Sequence, residues 1–236
     1  MRTVFVGWDE KEIEAFDVAV SSLRSKSREN ITVQRLAMRD LQIAGLYERP
    51  TISKNEKLVD LISDAPMSTG HAIARFFIPH MMNHRGWALF TDGDVLFRKD
   101  VSKLFKLADH KFAVMVVPHN YAPKNTVKKD GDVQTQYQRK NWSSVMLWNC
   151  GHPANKKLTL ELLNTAPGRD LHRFCWLKDS EIGFLPDSWN WLAGHSTSED
   201  PAIVHFTEGL PNVVGYENYP YAEEWKEAAS CLAATI

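Results

Sequence analysis

Apolar residues follow two rhythms along this 236-residue chain, and each rhythm predicts an element. Residues 3–6 (Thr-Val-Phe-Val) are a short β-branched run that stops at Gly7, the pattern of a buried strand meeting a loop at Gly7-Trp8-Asp9. Ile13, Phe16, Val20 and Leu23 then recur at helical spacing, and residues 31–33 read as a second strand. Strand, helix, strand opens an α/β fold with a mainly parallel central sheet flanked by helices. Asn30, Asp40 and Gly45 punctuate this region as loop or capping residues.

Ser68 is expected to cap a helix through Ile73, Phe76, Phe77 and Met81, which Pro79 should end or kink. Residues 87–91 (Trp-Ala-Leu-Phe-Thr) form a buried strand that delivers Asp92-Gly93-Asp94. Asp100 should cap a short helix with Leu104 and Leu107 turned inward. Residues 112–117 and 143–148 are two more apolar strands. The stretch 123–140 between them is polar and nearly free of aliphatic residues, the composition of a long loop or lid. Residues 158–163, 171–177 and 222–233 read as helices and 203–206 as a last strand. No repeat, low-complexity tract or linker divides the chain, so a single domain over 1–236 is expected.

Composition narrows the function classes. Hydrophobic residues make up 44% and charged residues 24%, ordinary values for a chain that folds on its own core. Lys plus Arg number 28 against 29 Asp plus Glu, a net charge of -1, so no global field draws the protein to nucleic acid or an anionic membrane. Three scattered cysteines (Cys150, Cys175, Cys231) make neither a disulfide framework nor a zinc ribbon and fit a reducing compartment. No apolar run nears the roughly 20 residues of a membrane span, and the N-terminus reads as a strand rather than a leader. A cytoplasmic protein is expected.

The sharpest chemical feature is Asp92-Gly93-Asp94 at the end of a hydrophobic strand. Ligands of open α/β sheets collect at the carboxyl ends of strands. Two acids at i and i+2 with Gly between can face one hard cation that bridges to phosphate oxygens. The plainer reading is a pair of solvated loop acids. Asp130-Gly131-Asp132 repeats the three letters after Lys128-Lys129 in the polar loop; no strand presents it, and it reads as a solvated turn. Among nine histidines, His80, His84 and His110 lie beside polar turns and read as surface residues. His205 instead ends an apolar run, Ala-Ile-Val-His-Phe, before a Gly/Pro turn. It is either a hydrogen-bonded structural residue or a third ligand, and imidazole among oxygens leans from Mg²⁺ toward Mn²⁺.

On these residues the chain resembles the GT-A glycosyltransferases, above all the retaining, glycogenin-like group that uses nucleotide-sugar donors. In that group an Asp-x-Asp motif ends a strand and a distal His completes the metal site; the resemblance runs from the first strand to His205. It implies Asp92, Asp94 and His205 as ligands of Mn²⁺ or Mg²⁺, with Gly93 between the acids. Arg75, on the helix 17 positions before Asp92, matches the arginine that reaches the donor pyrophosphate. Gly7, Trp8 and Asp9 match the loop lining the nucleoside pocket, with a UDP-sugar as the usual donor, and Gly209 falls in the loop after the His. Asp170 matches the acid beside the donor sugar, upstream of the aromatic-Asn segment Trp189-Asn190-Trp191; its plainer reading is a helix-start acid facing the dipole. The implied partners are a nucleotide-sugar donor and a carbohydrate, lipid or protein acceptor, with hexose transfer and retained configuration.

Three departures stand out. Trp142-Ser143-Ser144 replaces the family's Asn, small residue and Gly; Leu171 replaces a Gln; and Glu208-Gly209-Leu210-Pro211 has no lysine. An inverting enzyme would need a carboxylate base, for which Glu181, Asp187 and Glu208 are available. Trp142, Trp148, Trp189 and Trp191 are either sugar platforms or, more simply, core packing. Two competing functions are a haloacid-dehalogenase-type phosphatase with Asp92 as nucleophile, against which the late acidic pair Glu199-Asp200 lies in a polar loop and not after an apolar strand, and a carbohydrate- or nucleotide-binding module without turnover.

Overall fold

The apolar run that opens the chain is strand β1 (Arg2–Gly7), and the main sheet is organised around it. A computed structural model describes residues 2–55, 57–119 and 139–233. Within them follow β2 (Ile31–Leu36), β3 (Thr51–Lys54), β4 (Lys57–Asp60), β5 (Ala65–Met67), β6 (Trp87–Thr91), β7 (Val95–Phe97), β8 (Val114–Val116), β9 (Val145–Asn149), β10 (Ile182–Phe184), β11 (Trp191–Leu192) and β12 (Ile203–His205). The predicted α/β class holds. The six-stranded sheet runs β10-β8-β9-β6-β1-β2, and only β9 opposes the common direction. Apolar layers cover both faces: Phe5, Phe76, Phe77, Phe90 and Trp148 on one, Val4, Val6, Leu89, Val145 and Leu147 on the other. A strand covered on both faces has no polar side to present, which is why these segments are apolar runs rather than alternations.

Two smaller sheets complete the fold. In the order β11-β12-β7, β12 is antiparallel to β7 and parallel to β11. The antiparallel meander β3-β4-β5 lies outside any sequence expectation, because its short strands are exposed and carry little apolar signal. Helix α1 (Ile13–Lys26) lies between the large sheet and the second sheet. It buries two stripes instead of the one expected: Phe16, Ala19, Val20 and Leu23 face the main core, while Ala15 and Val18 face Trp191 and Trp225. Ile13, placed in the apolar stripe by spacing, is half exposed.

Other boundaries shift for local reasons. The expected Ser68 cap is absent: the helical stretch starts at His71 after Gly70 and changes to a tighter 3₁₀ turn at Arg75–Phe77. It resumes at Ile78–Met81 with Pro79 in its first turn, where a missing N–H costs nothing. Asp100 accepts from Ser102 N at 2.9 Å as a cap should, and Leu104 is buried, but Leu107 faces solvent. The helix expected at 171–177 is Gly168–His172. Residues 123–138 of the expected lid, including Asp130-Gly131-Asp132, lie outside the described residues. No helix among those described is long and apolar enough to cross a membrane.

Candidate metal centre

Strand β6 carries its alignment with β9 one step past Thr91, because Asp92 N donates to Ser144 O at 2.9 Å. Asp92 therefore leaves the main sheet in a fixed place, Gly93 turns the chain, and Asp94 enters β7 of the second sheet. There His205 pairs with Val95, and Phe206 N donates to Asp94 O at 3.0 Å. This register brings a histidine from 111 residues downstream next to the two acids. Ligand atoms of Asp92, Asp94 and His205 all lie within 4.8 Å of one another.

Close approach depends on two glycines. A Cβ on Gly93 would stand 2.5 Å from the Gly7 carbonyl oxygen, and one on Gly7 would stand 2.5 Å from the His71 ring. The end of β1, the acidic turn and His71 thus form one tightly packed unit at the carboxyl ends of neighbouring parallel strands.

Asp92 is held by two cations or would-be cations. Arg75 Nη2 lies 2.6 Å from Oδ1 and Nη1 3.3 Å from Oδ2, while His71 Nε2 lies 3.1 Å from Oδ1. Burial acts to raise the Asp92 pKa, but the Arg75 charge and the His71 contact outweigh it and hold the carboxyl well below the usual carboxylate range. Arg75 is itself buried, donates to Ser143 O at 2.8 Å and sits 4.7 Å over the Phe90 ring. It is no surface arginine. His172 Nδ1 meets Ser143 Oγ at 2.7 Å, and burial together with Arg75 pushes its pKa down to about 3.

His205 is oriented from behind. Asn190 is fully buried, and its Nδ2 donates to Asn141 O at 3.1 Å and to Ser144 Oγ at 2.9 Å. Its Oδ1 is thereby left to accept Nδ1–H of His205 at 3.1 Å. That fixes the tautomer and turns Nε2 to Asp94 Oδ1 at 3.3 Å. Two lone pairs do not rest face to face at that distance, so a proton or a cation is needed between Nε2 and the carboxylate. Two carboxylate oxygens and one oriented imidazole can together hold a divalent metal ion.

The remaining candidates fall into two groups. Asp9 joins the first loop to the helix start, accepting from Gly70 N at 2.6 Å and Lys11 N at 3.0 Å, and the Trp8 ring lies under Arg35 at 4.9 Å. Gly209 packs where a Cβ would strike Tyr216. Asp170 is not brought into the triad: it lies in the first turn of Gly168–His172, 39% exposed, with Arg169 Nε at 3.9 Å. Of the alternative bases, Glu208 is engaged by His195 at 2.8 Å and Tyr219 at 2.6 Å, and Glu181 caps Lys178 N at 2.7 Å. Trp148, Trp189 and Trp191 are core residues, as packing alone predicts. The phosphatase reading finds no support, since Asp92 is tied to Arg75 and His71 and Asp200 is bound at the surface by Lys99.

Sequence reasoning missed His71, His119 and His172. His71 was legible, because it precedes Arg75 by four positions and a helix that aims one at Asp92 aims the other there too. Buried polar atoms without a hydrogen-bond partner gather around this site among the described residues: His71 Nδ1, Arg75 Nε, Thr91 Oγ1, His119 Nε2 and Asn141 Nδ2. Such atoms are rare in native interiors and point to a ligand that completes them.

Known proteins share this fold. No family model matches the chain. Protein CDI of Arabidopsis thaliana is 40% identical over 228 residues, which cover 94% of this chain and 83% of that protein. Among solved structures, the galactosyltransferase LgtC in complex with donor and acceptor sugar analogues superposes with a TM-score of 0.61 at 13% identity, covering 98% of this chain and 96% of its own. The glycosyltransferase GlyE of Streptococcus pneumoniae also gives 0.61, at 15% identity, with 97% of this chain covered. The chain spans only 61% of GlyE and 51% of a third neighbour, the bifunctional glycosyltransferase WbbM. The chain belongs to the family of Arabidopsis Protein CDI, and its fold is that of the GT-A glycosyltransferases.

Proposed function

We propose that the protein is a metal-dependent glycosyltransferase that moves a hexose from a nucleotide-diphosphate donor, a UDP-sugar, to a hydroxyl of a carbohydrate, lipid or protein acceptor with retention of configuration. The observation that carries this reading is the oriented histidine: Asn190 commits Nδ1–H of His205 and leaves Nε2 facing Asp94 at 3.3 Å beside Asp92. Asp92, Asp94 and His205 would hold Mn²⁺, which when bound supplies positive charge for a departing diphosphate. Arg75 has an unpartnered Nε and lies against Asp92, so it can donate to the same phosphates. Gly7, Trp8, Asp9, Gly93 and Gly209 would line the nucleotide. Asp170 would face the forming oxocarbenium-like cation, a role that requires its half-exposed carboxylate to look into the cleft. None of the three cysteines is joined in a disulfide, which suits a reducing, cytoplasmic setting.

A thermal-shift panel of nucleotides and nucleotide sugars, with and without Mn²⁺, tests the reading first, because a ligand of the native state raises the melting temperature. Stabilisation by UDP or a UDP-sugar that requires Mn²⁺ and disappears in Asp92→Asn and His205→Ala is expected. NMR of the product anomeric proton then reports configuration. Binding of sugar without metal points to a module without turnover, and an inverted product removes the retaining half.

A further inference from the structure

On the Asn190 side of the triad stand three residues that metal binding does not use. Asn141 occupies the left-handed region (φ 65°), its carbonyl accepts from Asn190 Nδ2, and its own Nδ2 is buried without a partner among the described residues. Asn tolerates that backbone better than most side chains. The next residue, Trp142, donates its indole N–H to His119 O at 3.0 Å and packs edge-on against Phe184 at 5.8 Å. His119 follows the carboxyl end of β8, and its Nε2 is buried and unpartnered. Burial, with a smaller effect from His205, pushes its pKa down to about 4, so at neutral pH the ring is uncharged and offers one donor and one acceptor. The guanidinium of Arg139, over the Trp142 ring at 5.5 Å, is taken by Asp179 at 2.7 Å and Arg173 O at 2.6 Å.

An amide, a neutral imidazole and an indole suit hydroxyl groups on a ring. A diphosphate needs cations, and among the described residues Arg139, the guanidinium over the Trp142 ring, is already engaged. An apolar aromatic wall with a few uncharged hydrogen-bonding groups is the composition that recognises carbohydrate. We propose that His119, Asn141 and Trp142 form a sugar subsite beside the metal triad, in which His119 Nε2 and Asn141 Nδ2 hydrogen-bond ring hydroxyls against the Trp142 indole. The subsite rests on the glycosyltransferase reading and determines which sugar that reaction accepts. The ring it holds belongs either to the donor or to the acceptor, and the two are separated by the probe.

Isothermal titration in Mn²⁺ compares UDP, UDP-glucose and UDP-galactose, and then methyl glucoside added to the UDP complex, across the wild type, His119→Ala, Asn141→Gly and Trp142→Phe. Asn141→Gly keeps the left-handed backbone, so it removes the amide without straining the turn. UDP affinity should be the same in all four proteins. If the ring is the donor's, the advantage of a UDP-sugar over UDP falls about tenfold in His119→Ala and Asn141→Gly, the usual cost of one buried hydrogen bond. If the ring is the acceptor's, the loss appears in the methyl glucoside arm instead. Wild-type affinity of the variants in both arms overturns the subsite, as does a loss of UDP itself in equal measure. A wild-type protein that binds no UDP with Mn²⁺ overturns the underlying functional reading.

Discussion

Replacing Asn190 by Ala tests the metal site without touching a ligand. The side chain makes three hydrogen bonds from a fully buried position. Two of its partners keep each other, since Ser144 Oγ donates to Asn141 O at 2.7 Å. The group left stranded is Nδ1–H of His205. A buried donor without a partner costs roughly 1–3 kcal/mol, and the imidazole is freed to rotate or to exchange tautomers. Losing such an outer hydrogen bond weakens metal binding about 10- to 100-fold. At Mn²⁺ a hundred times the wild-type Kd, binding stabilises the fold by about 2.7 kcal/mol, and a hundredfold weaker site leaves about 0.4 kcal/mol. For a domain of this size 1 kcal/mol is roughly 2–4 °C of melting temperature. The Mn²⁺ shift should therefore fall from about 5–11 °C to about 1–2 °C in Asn190→Ala, on top of a lower metal-free Tm. Asn190→Asp keeps an acceptor for Nδ1–H and should retain the Mn²⁺ shift, although it forfeits both amide donations. A full Mn²⁺ shift in Asn190→Ala refutes the claim that Asn190 sets the ligand geometry of His205.

Three further outcomes follow from the packing and the buried charges. Gly93→Ala forces a Cβ to 2.5 Å from the Gly7 carbonyl oxygen, and backbone cannot yield as a side-chain tip can; urea unfolding should show a loss of roughly 1–3 kcal/mol, and an unchanged midpoint refutes the clash. Arg49 and Asp60 form a buried pair at 2.5 Å, and Arg49 also holds Leu163 O and Ala166 O at 2.8 Å; Arg49→Met should cost about 3–5 kcal/mol by stranding the carboxylate, and the double variant with Asp60→Leu should recover much of it. His172 is held neutral with its pKa lowered to about 3, so between about 3 and the unfolded value near 6.5 the unfolded chain binds the extra proton and stability rises with pH. Denaturant melts from pH 4 to 7 should show that slope reduced in His172→Gln, and an unchanged slope assigns it elsewhere.

Much of the main sheet was legible because its strands are buried on both faces and announce themselves as apolar runs. Strand β6 and the final helix (Ala222–Ala233) stand where their patterns put them. What pattern could not supply was the meander. Its strands Thr-Ile-Ser-Lys and Lys-Leu-Val-Asp bury little, and their anchor is a charge pair: Arg49, 2% exposed, reads in sequence as an ordinary surface residue. Helix α1 shows a related limit. Its smaller residues Ala15, Val18 and Ala19 are fully buried, yet the larger Ile13 and Phe16 dominate any hydrophobic count.

The site was legible in part, and the division has a physical cause. Asp92 follows one apolar strand, Asp94 precedes the next and His205 ends a third, and the place of a polar residue at the edge of an apolar run is a sequence property. Their convergence is not, because it depends on β12 pairing antiparallel with β7 in the register that sets His205 opposite Val95. A shift of one residue would turn His205 to the other face of that sheet and away from Asp94. Asn190, Ser144 and Asn141 were still less visible, since each is an unremarkable polar residue until burial makes its hydrogen bonds obligatory. The chain thus declares the charged groups that meet a ligand, while the neutral network that aims them emerges only once the two sheets are packed together.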